Sequence, residues 1–87
     1  MREIHFVPAA WEAYTWWQGQ DRKTLKRINT LIEATAREPF SGLGKPEPLI
    51  GNLAGYWSRR IDDANRLVYR ATDDAVIVIG CRFHYGD

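Results

Sequence analysis

The chain has 87 residues and a net charge of +1, with 45% hydrophobic and 26% charged side chains. That length fits one domain with a modest core, and that composition excludes a disordered tail, a polybasic histone-like arm and a transmembrane protein. The single cysteine, Cys81, excludes an internal disulfide, and with no signal-peptide pattern after Met1 the expected compartment is the cytoplasm.

Ile4 and Phe6 alternate with Glu3 and His5, as in a strand with one buried face. Pro8 suits the first turn of a helix. At helical spacing Val7, Ala10, Trp11, Tyr14 and Trp17 form one stripe, with Trp16 nearly opposite and Gly19 closing the helix. Trp11 is therefore expected in the core, and Trp16 in a protein–protein contact. Asp21 caps a second helix over Arg22 to Arg37, whose apolar face is Leu25, Ile28, Leu31, Ile32 and Thr35. Its polar face carries Arg22, Lys23, Lys26, Arg27 and Arg37, with Glu33 among them. Like charges four residues apart weaken an isolated helix slightly, so this face is either solvated or a contact for the phosphates of a nucleic acid.

Pro39 to Gly55 reads as loops. Three strands follow, Tyr56–Ile61, Arg66–Thr72 and Ala75–Tyr85, joined by short acidic turns that make them antiparallel neighbours. The expected fold is α+β in the order β-α-α-β-β-β: an antiparallel sheet with two helices packed on one face. Period-2 alternation aims Trp57, Ile61, Leu67, Tyr69, Ile77, Ile79, Cys81 and Phe83 at the helices. It leaves Ser58, Arg60, Arg66, Arg70, Arg82 and His84 on an open cationic face. Arg59 is expected to face away from the site as a surface or ion-pair residue. Cys81 is expected to pack, Ser58 not to act as a nucleophile, and His5 to have no role.

RNA cleavage by side chains needs a base for the 2′-hydroxyl proton, a cation for the phosphorane charge and an acid for the 5′-oxygen. Glu47, between Pro46 and Pro48, offers the base; Arg60 and Arg66 offer cations; His84 offers the acid. Two histidines and one cysteine, far apart, match no common metal site, so neither a metal nor another cofactor is expected. Spacing alone leaves this constellation unspecific.

The blocks Pro39-Phe40, Gly44-Lys45-Pro46-Glu47-Pro48-Leu49, Tyr56-Trp57-Ser58-Arg59-Arg60-Ile61, Arg66-Leu67-Val68-Tyr69 and Cys81-Arg82-Phe83-His84-Tyr85 occur in this order over most of the chain. In them the chain resembles the YoeB/Txe branch of the RelE-type toxins. The resemblance implies a microbial-ribonuclease type of fold over residues 1–87. It also implies ribosome-dependent cleavage of mRNA in the A site of the small subunit, a 2′,3′-cyclic phosphate product, a YefM-like antitoxin and a homodimer. Carried over by residue, Glu47 is the general base, His84 the general acid, Arg66 the main phosphate-stabilising cation and Tyr85 the residue that orients the scissile nucleotide. Lys45 and Arg60 assist at the phosphates, and Arg82 is grouped with them. Gly86-Asp87 follow the His-Tyr pair, where many relatives end, and add a carboxylate that bears on activity. Two alternatives use the same basic surface: a non-catalytic ribosome-binding inhibitor of translation, and an RNA-binding module. Only the nuclease needs Glu47, Arg66 and His84 together.

Overall fold

The computed structural model describes residues 1–83. Strand β1 (Glu3–Phe6) leads into helices α1 (Pro8–Gln18) and α2 (Arg22–Arg37), followed by β2 (Glu47–Pro48), β3 (Trp57–Arg60), β4 (Arg66–Ala71) and β5 (Ala75–Gly80). The five strands form one sheet in the order β1-β5-β4-β3-β2. The turns at 61–65 and 72–74 make β3, β4 and β5 antiparallel neighbours as expected. The sheet as a whole is mixed, because β1 lies parallel to β5. The two helices between β1 and the rest of the sheet form the crossover that a parallel pair requires. β5 thus has a strand on each side, a central position in the sheet that agrees with its apolar sequence. The short β2 arises from the stretch read as loop. It is an edge strand, which suits Pro48, since proline donates nothing to a ladder.

The helices are placed by the signals expected of them. Pro8 begins α1. The Asp21 carboxylate accepts hydrogen bonds from the Lys23 and Thr24 amides at the start of α2. The hydrogen bond from the Thr24 hydroxyl, with those from the two amides, holds the Asp21 carboxyl below the usual carboxylate range. Ile28, Leu31, Ile32 and Thr35 of α2 are buried. They meet Ala10 and Trp17 of α1 over Leu67, Tyr69, Val76, Val78 and Cys81 of the sheet. No helix among the described residues is long and apolar enough to cross a membrane.

Two alternations differ from expectation. In β5 the buried residues facing the core are Val76 and Val78, not Ile77 and Ile79, and the core parity returns only at Cys81. The cause is a bulge: Val68 pairs with Gly80 while Tyr69 pairs with Val78, so Ile79 is an extra residue. A bulge has no signature in a uniformly apolar run. In α1 the inward direction is set by Ala10 and Trp17, and at 100° per residue Trp11 and Trp16 flank it at about 110° to either side. Trp11 is 52% exposed and Trp16 is 37% exposed. Trp11 is therefore not a core residue; it packs laterally against Phe6 and Tyr14.

Candidate active site

Lys45, Glu47, Ser58, Arg60 and Arg66 line a single cleft on the sheet face opposite the helices. Backbone register builds it. Glu47 of β2 stands opposite Ser58 of β3, and Arg60 of β3 stands opposite Arg66 of β4. The carboxylate and two guanidinium groups therefore rise from adjacent rows of one sheet. Ser58, buried between them, forms part of the floor.

The loop that carries Lys45 and Glu47 is moored from below. Arg59 is fully buried rather than a surface or ion-pair residue. Its guanidinium donates to the carbonyls of Leu43 at 2.8 Å, Ser41 at 2.9 Å and Glu38, and its Nε donates to the Tyr69 hydroxyl at 3.2 Å. Tyr69 in turn donates to the Pro39 carbonyl at 2.6 Å. Burial pushes the Tyr69 hydroxyl above its ordinary pKa, partly offset by the neighbouring Arg59 cation. Three loop carbonyl dipoles and a phenol thus surround a buried cation. Alternation places position 59 on the core-facing parity of Trp57 and Ile61 but does not say what could pair with a charge there. The clue it offered was the loop itself, a stretch of backbone carbonyls in need of donors.

Gly44 brings the loop against the core. Its φ is +85°, and a Cβ there would approach Leu31 Cδ2 to 2.7 Å and Arg59 Cβ to 3.1 Å. Its carbonyl accepts from the Arg60 amide at 2.7 Å. Lys45 follows in the left-handed region at φ 52°, uncommon for a residue with a side chain.

The two cleft arginines are held differently. Arg60 pairs with Asp63, whose side chain is 93% exposed. A phosphate can displace so exposed a partner, because such pairs contribute little in water. The Arg66 Nη1 donates to the carbonyls of Asp62 at 2.7 Å and Asn65 at 3.2 Å, which fixes the plane of the guanidinium.

The other expected site residues divide into three groups. Arg82 lies away from the cleft, its Cζ 3.5 Å from the centre of the Trp16 ring and 4.5 Å from that of Phe83. β5 ends at Gly80, before Arg82, so strand parity no longer directs this side chain. On α2, Arg22, Lys23 and Lys26 are exposed, whereas Arg27 donates to the Arg60 carbonyl at 3.0 Å and Arg37 pairs with Glu33 at 3.4 Å. His84, Tyr85 and the Gly86-Asp87 tail lie outside the described residues. The path toward them is fixed as far as Phe83. The Trp17 indole donates to the Cys81 carbonyl at 2.9 Å, and the Phe83 carbonyl accepts from the Arg66 amide at 3.0 Å. Cys81 is fully buried, and burial pushes its thiol up to about 11, so it packs as expected.

A family model for the YoeB-like toxin of bacterial type II toxin–antitoxin systems matches residues 6–85. The chain belongs to this family. It is 59% identical over 85 residues to Toxin YoeB of Mycobacterium bovis, covering 98% of this chain and all of that one. Two similar folds come from Staphylococcus aureus. One is a YoeB dimer, with TM-score 0.89 and 42% identity over 97% of this chain and 98% of that one. The other is a heterotetrameric YoeB–YefM toxin–antitoxin complex, with TM-score 0.88 and 42% identity over 98% of this chain and 99% of that one. The YoeB resemblance carried by the sequence blocks is thus borne out, as is the α+β architecture. The chain is the toxin component of a type II toxin–antitoxin system.

Proposed function

We propose that the chain, acting as one domain over residues 1–87, is a ribosome-dependent endoribonuclease that cleaves mRNA in the A site of the small subunit. The observation that supports this most is the convergence of Lys45, Glu47, Arg60 and Arg66 on one cleft from two separate stretches of sequence. In the proposed reaction Glu47 takes the proton of a 2′-hydroxyl, and the freed oxygen attacks the adjacent phosphorus. Arg66, with Lys45 and Arg60, offsets the charge that builds on the non-bridging oxygens. His84 gives a proton to the departing 5′-oxygen, leaving a 2′,3′-cyclic phosphate and a 5′-hydroxyl end. Tyr85 orients the scissile nucleotide. Each role is filled by a side chain, so the chemistry calls on no metal or cofactor. The exposed Arg22, Lys23 and Lys26 on α2 supply an electrostatic contact to ribosomal RNA.

By likeness to the Staphylococcus aureus proteins, the chain forms a homodimer and is restrained by a YefM-like antitoxin; the proposed action on ribosomes assigns it to the cytoplasm. Single-turnover cleavage on programmed ribosomes tests the catalytic assignment. Glu47→Ala and His84→Gln should each lower the rate by about 10²-fold or more, the scale of acid–base catalysis, with ribosome affinity retained. Near-normal cleavage by both variants contradicts it. Inhibited translation over intact mRNA favours a non-catalytic ribosome blocker instead.

A further inference from the structure

The turn between β3 and β4 is built around two side chains that the cleft does not use. The Asp62 carboxylate accepts from the Ala64 amide at 2.9 Å, the Asn65 amide at 2.8 Å and the Asn65 side-chain Nδ2 at 3.0 Å. With its Nδ2 held in this way, Asn65 turns its Oδ1 outward from the turn to accept the Phe83 amide at 2.7 Å. That bond spans 18 residues and joins the turn to the segment after β5. The Phe83 carbonyl is taken by the Arg66 amide at 3.0 Å. Both backbone groups of Phe83 are therefore engaged by adjacent residues of one turn.

Phe83 needs such a hold. Its φ is 69°, a conformation that side chains disfavour, and the residue is 63% exposed, so burial does little to keep it in place. β5 has already left its ladder at Gly80. The same turn, through the Asp62 and Asn65 carbonyls, sets the plane of the Arg66 guanidinium. One small unit thus orients the phosphate-binding cation and fixes the chain one residue before His84. We propose that Asn65 is a positioning residue for cleavage: its side chain, braced by Asp62, fixes the Phe83 backbone and so registers the chain leading to His84 against Arg66. This rests on the acid role proposed for His84.

The test combines amide exchange with single-turnover cleavage on programmed ribosomes. Asn65→Ala should speed exchange of the Phe83 amide by about tenfold, the worth of one hydrogen bond. It should slow cleavage by about 10- to 100-fold, the cost of a small misplacement of a reacting group, at unchanged ribosome affinity. In a His84→Gln background the same change should cost little further, because both variants remove one function. Exchanging the pair, Asp62→Asn with Asn65→Asp, keeps an amide-to-carboxylate bond between the two positions and an acceptor for the Phe83 amide, so it should cleave faster than Asn65→Ala; it also carries the test should the alanine variant fold poorly. Wild-type cleavage by Asn65→Ala overturns the proposal, as do equal losses in Asn65→Ala and the exchanged pair, or losses that add fully to that of His84→Gln. Normal cleavage by His84→Gln removes the acid assignment and the positioning role with it, while Phe83 exchange separately reports whether the tether exists.

Discussion

Arg59 is the residue on which the geometry of the cleft most depends without lining it. Removing its guanidinium leaves three loop carbonyls and a buried phenol short of a donor. Arg59→Met should therefore lower unfolding free energy by on the order of 3 kcal/mol, the scale for deleting one partner of a buried charged network. Urea unfolding with an unchanged slope checks this; a loss near zero would show that the loop is held by other means. Arg66 sets a different test, because a planar guanidinium bridges two phosphate oxygens and an ammonium does not. Arg66→Ala should slow cleavage more than Arg66→Lys, and Arg66→Lys should not restore the full rate. Equal single-turnover rates for the two variants would count against a bridging role. Cys81 and Tyr69 give the fold a pH dependence. Burial raises both groups, Cys81 from its ordinary 9.0 to about 11, so the native state keeps protons that the unfolded chain releases. Stability is then full below pH 9 and falls as pH rises toward 11. Cys81→Ala should flatten part of that fall in thermal melts; an unchanged slope would place the titration elsewhere.

Among the elements, α2 and the loop before β2 divide the work. The α2 face expected to meet RNA is narrower than its sequence suggests, since Arg27 reaches back to the Arg60 carbonyl and Arg37 is paired along the helix. Reversing Arg22, Lys23 and Lys26 to Glu should weaken ribosome association and flatten its salt dependence. The log–log slope should shrink by about 0.7–0.9 for each phosphate that the helix no longer neutralises. An unchanged slope in a binding titration would mean that this face is merely solvated. In the loop, Gly44→Ala forces a Cβ against Leu31 at a left-handed φ. It should displace Lys45 and Glu47 and lower both stability and cleavage rate. The helix boundaries and caps were legible because Pro8 and Asp21 act locally. The end of β5 was not, because a bulge and a left-handed Phe83 are tertiary choices made by the pairing with β4 and the Asn65 tether.

For the molecule as a whole, the sequence blocks were enough to reach the family, and the turn lengths were enough to order β3, β4 and β5. The parallel placement of β1 was not written in them, since alternation tells which face is buried and not which neighbour is paired. The cleft was legible as a set of residue types, Glu47 with Arg60 and Arg66, but its support was not. Arg59 and Tyr69 act through burial, and Asn65 through a bond to a residue 18 positions away. Arg82, assigned to the same face by parity, instead covers Trp16. Trp11, the more exposed of the two flanking indoles, is accordingly the better candidate for a surface shared with a second copy or an antitoxin. Whether this toxin cuts mRNA on the ribosome is decided by mapping mRNA 5′ ends after brief expression of the wild-type chain and of Glu47→Ala. Discrete 5′-hydroxyl ends at A-site codons are expected with the wild type, and their near-disappearance with the variant. Intact mRNA under arrested ribosomes, or the same cuts with both chains, would contradict the proposed nuclease.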